Sequence, residues 1–313
     1  METVLISGTS ALSPVPVSVL PLMQRWTAWL DAKDRTAQTY TANIRRFAEY
    51  LTQHDESRPT RETVIAWVKS LDAEGKSAAT IHGYLTAVKL FFRWAEQEGL
   101  YPNVADRVKG KKQDADHKKD YLTVEQAKNL IASVDRSTLK GKRDYAILLL
   151  MITTGLRTVS VVSADVGDVE RRATGAVLYY LCKGHDEKAV YVKLAPPVLS
   201  ALDDYLSARG EIKKSDPLFA SDANRNAGSR MTTRSVSRIA KESMVGVGLD
   251  SARLTAHSLR HTAATLNLLG GGTTEETRQL LNHRSIDTTM IYVHALEREK
   301  NQSENRIAAA LFG

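Results

Sequence analysis

The spacing of apolar residues between residues 20 and 106 predicts a bundle of helices. Tyr40, Ile44, Phe47 and Leu51 recur at intervals of three and four, which is the repeat of one helix face. Three further stripes repeat this spacing: Leu20, Met23, Trp26 and Leu30, then Val64, Trp67, Val68 and Leu71, then Ile81, Tyr84, Leu85, Val88, Phe92 and Ala95. Four amphipathic helices of this length can bury one small core. We therefore predict a helical domain over residues 20–106.

The stretches on either side of this domain carry no such stripe. Residues 1–19 contain an early acidic residue, Glu2, and prolines that would break an apolar helix, so we expect a flexible tail and no signal peptide. Residues 107–120 contain six basic and three acidic residues, a net charge of +3, and almost no apolar ones. This composition is typical of a linker.

A different pattern begins at residue 121 and continues to residue 313. Thr123 and Gln126 form a capping box before one helix, and a strongly apolar helix over residues 143–153 is followed by Gly155. Residues 177–193 alternate as strands do, with Val177, Tyr179 and Leu181 on one face and a polar turn at 183–188. We therefore predict a second, mainly helical domain that contains a small β-sheet.

Composition narrows the class of protein only modestly. The 313 residues carry a net charge of +7, which suits a polyanionic partner such as nucleic acid. The single cysteine, Cys182, excludes an internal disulfide and fits a reducing cytoplasm. No Cys/His cluster has zinc-finger spacing, and no apolar run reaches the ~18 residues of a transmembrane helix. We expect a cytoplasmic protein that does not bind a membrane.

The strongest candidate chemistry lies near the end of the chain. His257 and Arg260 are three residues apart, so on a helix they share one face and can bind a phosphate together. Tyr292 follows, with His283 between them in sequence. An HxxR pair is often a surface pair, and a lone tyrosine on a helix is often part of the core. Only the rest of the chain can decide between these alternatives.

Five separated motifs together resemble the tyrosine recombinase family, also called the lambda-type or phage integrases, which includes the Xer recombinases. In chain order they are Thr154-Gly155-Leu156-Arg157, Cys182-Lys183-Gly184, His257-Ser258-Leu259-Arg260-His261, Leu281-Asn282-His283 and Tyr292. The family usually has glycine where this chain has Asn282. It usually has an acidic residue three positions after the first arginine, where this chain has Ser160.

The resemblance implies a mechanism for cutting duplex DNA. Tyr292 is the nucleophile that attacks a phosphodiester and forms a 3′-phosphotyrosyl link, and strand exchange passes through a Holliday junction. Arg157 and Arg260 hold the phosphate, and Lys183 protonates the leaving oxygen. His257 takes or steers the tyrosine proton, His283 bonds the phosphate, and Ser160 and His261 support the site. The reaction requires no cofactor and no metal.

The resemblance also implies an architecture and partners. A helical core-binding, SAM-like domain and an α/β catalytic domain form a C-shaped clamp on double-stranded DNA. Four copies assemble on two duplexes through a C-terminal exchange helix, residues 295–313, anchored by Ile307, Leu311 and Phe312, and accessory DNA-bending factors are further partners. The alternative is that this helix folds back on its own domain. For DNA contacts of the helical domain and linker we predict the basic residues outside the apolar stripes: Arg45, Arg46, Lys76, Lys89, Arg93, Lys111 and Lys112.

Three functions fit these features. The first is integration or excision of a mobile element, which we expect. The second is Xer-like resolution of chromosome or plasmid dimers. The third, from another class, is a DNA-binding protein of the same fold that no longer cuts. The serine at position 160 adds one expectation: because it supplies no charge to orient an arginine, Ser160→Glu should raise cleavage or stability.

Overall fold

The computed structural model describes residues 19–112, 120–182, 187–224 and 226–312. The chain divides into two compact units, with the boundary between residues 115 and 116. The described residues are mostly helical with one small sheet, which confirms the predicted fold class. The predicted tail, apart from residue 19, and residues 113–119 of the predicted linker lie outside the described residues.

The described part of the first unit contains four helices, as the apolar stripes predicted: α1 (Val19–Trp29), α2 (Asp34–Gln53), α3 (Arg61–Ala73) and α4 (Ala78–Gln97). Thr60 and Ser77 cap α3 and α4 by accepting backbone N–H bonds. The stripes meet in an aromatic core. There the centroid of the Phe47 ring lies 4.9 Å from that of the Trp67 ring and 6.0 Å from that of the Phe92 ring. Burial of these large side chains holds the unit together.

The described start of the predicted linker belongs to this first unit. Val108 is buried in its core, and Lys111 forms a 2.6 Å ion pair with Asp72 of α3. The Lys111 carbonyl also lies 2.9 Å from Nε2 of His82. Residues 107–112 are therefore packed against the helices, and the composition alone did not reveal this.

The second unit surrounds a separate core. Its elements are α5 (Val124–Ala132), α6 (Leu139–Thr154), α7 (Thr158–Ser163), a 3-10 turn (Val166–Asp168), β1 (Val169–Arg172), β2 (Gly175–Tyr180), β3 (Val190–Leu194), α8 (Pro196–Arg209), α9 (Thr233–Gly246), α10 (Ala256–Leu269), α11 (Thr274–Leu281), α12 (Asp287–Lys300) and α13 (Ser303–Phe312). The capping box at Thr123 and Gln126 and the buried helix α6 are present as predicted.

The sheet is antiparallel, in the order β1-β2-β3. Ala176, Leu178 and Tyr180 of β2 face the main core of the unit, so that core lies on the strand face opposite to Tyr179. Tyr179 pairs with Tyr191 of β3 on the other face. Strand β1 was not predicted, because its four residues, Val-Glu-Arg-Arg, have little apolar character.

The C-terminal segment differs from the single helix expected over residues 295–313. Residues 295–300 continue α12, which also carries Tyr292, and a separate helix, α13, follows. The side chains of Ile307, Leu311 and Phe312 on α13 are 61%, 70% and 88% exposed. Within this chain, then, the predicted anchors do not pack into a core.

Candidate active site

Helix α10 is the buried element on which the candidate site is built. It packs against α6, α9, α11 and α12, and its residues from Ser258 to Thr265 are all buried. Its start is fixed by the Thr255 N–H, which donates to Ser258 Oγ at 3.0 Å. His257, in the first turn, is exposed, whereas Arg260 is only 3% exposed.

The Arg260 guanidinium is held by two backbone carbonyls. Its Nη1 donates to the Gly155 carbonyl at 2.5 Å, and its Nη2 donates to the Leu281 carbonyl at 2.6 Å. These bonds use two of the five N–H donors of the group. Arg260 is therefore fixed by the ends of two helices, α6 and α11, and still has donors for a ligand.

Gly155 is the residue that permits this approach. It ends α6 in the left-handed region, with φ 64°. A Cβ at this position would lie 2.5 Å from Leu281 Cδ2 and 3.3 Å from Ala263 Cβ. Both the conformation and the space therefore require glycine here. Arg157 follows two residues later, half-buried, as the extended residue before α7.

His283 and Tyr292 lie in the segment that follows α11. His283 is 6% exposed, and its Nδ1 is 2.9 Å from Thr289 Oγ1, which fixes the ring. Tyr292 is 5% exposed and packs in a small apolar cluster with Ala264 and Leu281.

The His261 ring connects the tyrosine to the first histidine. Its centroid lies 5.2 Å from that of Tyr292 and 4.7 Å from that of His257. The three rings form a continuous row from the exposed His257 to the buried tyrosine. His261 is buried, and it contacts the predicted nucleophile.

Burial and mutual repulsion of cations shape the electrostatics of the site. Burial, followed by the charge of Arg157, lowers the pKa of Arg260 to about 10, so it remains protonated at neutral pH. Burial, followed by the charges of Arg260, Arg157 and His257, lowers the pKa of His283 to about 4. Burial raises the pKa of Tyr292, although Arg260 and Arg157 oppose this shift. The same two arginines thus act on both His283 and Tyr292, which shows that these groups converge.

The arrangement is suited to an anion. A cleft of about 580 Å³ is lined by Arg157, His257 and Arg260, together with Ser237 and Lys241. Among the described residues, the groups that act on the Arg260 pKa include no carboxylate. A guanidinium that is held beside a second cation in this way is stabilised when a phosphate enters.

Comparison with known proteins agrees with this geometry. The phage integrase family model matches residues 120–299, and the model of its N-terminal SAM-like domain matches residues 24–99. The chain is 30% identical to the tyrosine recombinase XerC of Corynebacterium efficiens over 263 residues, covering 83% of this chain and 81% of that protein. It is also 30% identical to XerC of Corynebacterium glutamicum, covering 96% and 94%.

The chain belongs to the tyrosine recombinase family. It is a site-specific recombinase that transfers DNA strands by transesterification. The fold agrees with solved structures of lower identity. A XerH recombinase bound to a palindromic difH substrate matches with a TM-score of 0.71 at 22% identity, covering 94% of this chain and 84% of that one. A lambda integrase dimer bound to a COC′ core site matches with 0.67 at 19%, covering 86% and 96%.

In this recombinase the structure brings together five of the six predicted catalytic residues: Arg157, His257, Arg260, His283 and Tyr292. The sixth, Lys183, lies outside the described residues. Tyr180 at the end of β2 was not predicted to lie near the site. Burial, followed by Cys182, raises the pKa of Tyr180 to about 12, and Arg260 and Arg157 oppose the shift. The sequence did contain a signal for this position, because Tyr180 lies at the end of an alternating strand, shortly before the predicted catalytic residue Lys183.

Ser160 has a different contact from the one expected. Three residues along a helix would put it on the same side as Arg157, where a carboxylate could orient the arginine or a nearby histidine and a serine would hold the site less firmly. Arg157 instead precedes α7, and Ser160 Oγ donates to the Leu181 carbonyl at 2.9 Å. Ser160 thus connects α7 to the end of strand β2.

Most of the predicted DNA-binding residues of the first unit fall into two groups. Arg46 and Lys76 both lie within ion-pair distance of Glu74, and Arg46 also pairs with Glu49. The second group lines a cleft of about 780 Å³ with His82, and its basic members are Lys89, Arg107, Lys109, Lys111 and Lys112. We call these five residues the basic cleft. Arg107 and Lys109 were not among the predicted DNA contacts. Arg45 and Arg93 are exposed on α2 and α4.

The part of the chain that the structure describes contains no group of three or more His, Cys, Asp or Glu residues placed to hold a metal ion. It also contains no helix long and apolar enough to span a membrane.

Proposed function

We propose that Tyr292 cuts one strand of duplex DNA at a specific site and that the groups around it stabilise the transition state. The observation that carries this proposal is the buried Arg260 guanidinium. It is held by the Gly155 and Leu281 carbonyls, beside Arg157, and acts on the pKa of Tyr292. Fixed donors in a site of low polarity stabilise developing charge far better than donors in water.

The proposed chemistry starts with attack of the Tyr292 oxygen on phosphorus. The P–O5′ bond breaks, and a 3′-phosphotyrosyl link and a 5′-hydroxyl form. Arg157 and Arg260 contact the non-bridging oxygens. Lys183 donates the proton to the leaving 5′ oxygen. Rejoining reverses these steps with the 5′-hydroxyl of another strand, so the exchange passes through a Holliday junction.

The tyrosine proton requires an acceptor, because burial raises the pKa of Tyr292. We assign this role to His257, which the His261 ring connects to Tyr292. His283 is neutral at pH 7, since its pKa is lowered to about 4, and its ring bonds a phosphate oxygen.

In the same proposal the first unit contacts the DNA backbone. The basic cleft offers five cationic side chains within one surface, as phosphate binding requires. Accessory DNA-bending proteins are further partners in this proposal.

Assembly of a tetramer on two duplexes is assigned to α13. Its Ile307, Leu311 and Phe312 are largely exposed in the single chain, so a neighbouring copy is the proposed partner. A chain that ends at residue 306 should bind one site with unchanged affinity and recombine two sites poorly. Unchanged recombination by this truncated chain would exclude α13 from assembly.

The experiment that tests the central proposal uses a suicide substrate with a nick close to the cut site. Loss of the short fragment traps the phosphotyrosyl intermediate, so a protein–DNA band that resists SDS is the expected result. Absence of this band, with DNA binding intact, would support the third function, a binding protein that does not cut.

The same strand-exchange chemistry can serve two biological roles. We propose integration or excision of a mobile element as the first. The near full-length similarity to XerC favours resolution of chromosome or plasmid dimers as the second. Sequencing the DNA bound by the recombinase distinguishes them: sites at the ends of one element support the first role, and a single site per replicon supports the second.

A further inference from the structure

Two positions at which this chain departs from the family pattern contact the same dipeptide. Ser160 stands where an acidic residue is usual, and Asn282 stands where glycine is usual. Ser160 bonds to Leu181, and Asn282 bonds to Cys182. Leu181 and Cys182 are the last described residues before Lys183.

The Ser160 contact requires a donor. The side chain is 3% exposed, and its hydroxyl donates to the Leu181 carbonyl at 2.9 Å. An ionised glutamate has only acceptor oxygens. In this place it would set a buried negative charge against a carbonyl oxygen, which is unfavourable. The contact therefore reverses the sign that the sequence suggested for Ser160→Glu.

The Asn282 contact explains why asparagine replaces glycine. Asn282 ends α11 with φ 47° and ψ 56°, a left-handed conformation that asparagine tolerates better than most residues. Its Nδ2 donates to Cys182 Sγ at 2.9 Å. Cys182 is buried and also bonds to Tyr180. Glycine would suit the backbone equally well but would have no amide to donate.

The turn around Asn282 fixes catalytic groups at the same time. The carbonyl of the preceding residue, Leu281, accepts the bond from Arg260, and the following residue is His283. One turn therefore connects a phosphate-binding arginine, a phosphate-binding histidine and the end of strand β2. A bond through Asn282 transmits the position of this turn directly to Cys182.

We propose that Ser160 and Asn282 are positioning residues that set the end of β2, through Leu181 and Cys182, relative to Arg157, Arg260 and His283. This inference rests on the proposed function for one point, the role of Lys183 as proton donor to the leaving 5′ oxygen. Lys183 follows Cys182 in sequence, and proton transfer is sensitive to how its donor is placed.

The first experiment is a double-mutant cycle on Asn282 and Cys182, read as the single-turnover cleavage rate of a suicide substrate. Asn282→Gly removes the donor and keeps the backbone unstrained, and Cys182→Ala removes the acceptor. We expect each variant to lose about tenfold in rate and the double variant to lose no more than either one. Cys182→Ser keeps an acceptor and should recover most of the rate. Independent, multiplicative losses would overturn the proposed contact.

The second experiment separates positioning from general loss of structure. A substrate with sulfur in place of the leaving 5′ oxygen departs as a thiolate and needs no proton, since thiols are far more acidic than alcohols. We expect Asn282→Gly to be impaired with the oxygen substrate and nearly normal with the sulfur substrate. Equal impairment with both substrates would show that Asn282 has only a structural role.

The controls distinguish a failure of this inference from a failure of the proposed function. Lys183→Ala should show the largest rescue by sulfur, and Arg157→Ala should show none. If Lys183→Ala is not rescued, the proton-donor role fails. The double-mutant cycle still decides whether Asn282 and Cys182 act together, because it does not depend on how Lys183 acts.

Ser160 is tested with matched variants on the same helix. Ser160→Ala and Ser160→Glu should both slow cleavage of the oxygen substrate, with the larger loss for glutamate, and the sulfur substrate should restore the rate of Ser160→Ala. Ser163→Ala is the control, because the Ser163 hydroxyl bonds within α7, to the Ser160 carbonyl. Faster cleavage by Ser160→Glu would overturn the assignment of Ser160 as a donor to Leu181.

Discussion

In the proposed function, the two cationic regions of this recombinase bind phosphate in opposite ways. The basic cleft of the first unit spreads five exposed or half-buried side chains over a surface. The candidate active site uses few cations, and Arg260 is almost fully buried between backbone carbonyls. Exposed cations bind DNA through the release of counterions, each adding a small share. A buried and fixed guanidinium contributes most where charge develops in the transition state.

The comparison shows why net charge was a poor guide to function. A charge of +7 describes the surface as a whole and does not identify a catalytic group. The residue with the largest proposed role, Arg260, contributes one charge to this sum. What distinguishes it is its fixed place in a buried site without a described carboxylate partner.

The largest effect is expected from Tyr292→Phe, which removes one oxygen atom from the buried region. Tyr292→Phe should abolish the covalent protein–DNA adduct and leave DNA affinity unchanged, because the ring still fills its apolar cluster. Adduct formation on a suicide substrate and affinity in a gel-shift assay measure the two effects. An adduct formed by Tyr292→Phe would show that another residue is the nucleophile, which peptide mapping would locate.

Removing the fixed guanidinium should have the next largest effect. Arg260→Ala and Arg157→Ala should each slow cleavage by about 10²–10³-fold, the typical cost of one lost transition-state donor, with little change in DNA affinity. Arg260→Lys keeps the charge but cannot reach two carbonyls in the same geometry, so it should remain strongly impaired. Equal losses in cleavage rate and DNA affinity would show that the two arginines only contact the DNA backbone and have no special role in the transition state.

The basic cleft should show the reverse behaviour. Lys109→Ala and Lys112→Ala together should weaken DNA binding about uniformly across sequences and reduce the slope of log affinity against log salt by about 2. Single-turnover cleavage at saturating protein should not change. Arg46→Ala is the matched control, because Arg46 pairs with Glu49 and Glu74 and should alter the salt slope less. Identical slopes for all variants would place the DNA elsewhere on this unit.

The smallest expected effect is a dependence of stability on pH that arises from His283 in the buried region. The pKa of His283 is lowered from 6.5 to about 4 by burial and neighbouring cations, so the unfolded chain binds this proton more readily. Stability should therefore fall as pH falls from about 6.5 towards 4, and remain constant above that window. Melting temperatures between pH 7.5 and 5 should drop more for this chain than for His283→Gln. A parallel drop in both proteins would assign the effect to other groups.

The sequence by itself determined the helices, because periodic apolar stripes and capping residues are local signals. The stripe through Ile44, Phe47 and Leu51 and the capping box at Thr123 needed no knowledge of distant residues. The five motifs likewise indicated the family, since residue type and order are properties of the chain. Strand β1 was not predicted, because a prediction from local signals needs an apolar pattern and its four residues carry almost none.

Only the tertiary structure decided how the motifs act together. Arg260 is fixed by carbonyls 105 and 21 residues away in sequence, and no local pattern specifies such partners. The bonds of Ser160 to Leu181 and of Asn282 to Cys182 span 21 and 100 residues. They assign structural contacts to two residues that in the sequence were only departures from the family pattern. A hydrogen bond depends on where two groups meet in space, and packing of the core sets that meeting point. The sequence thus determines which reactive side chains are present, and packing of the core determines their positions relative to one another.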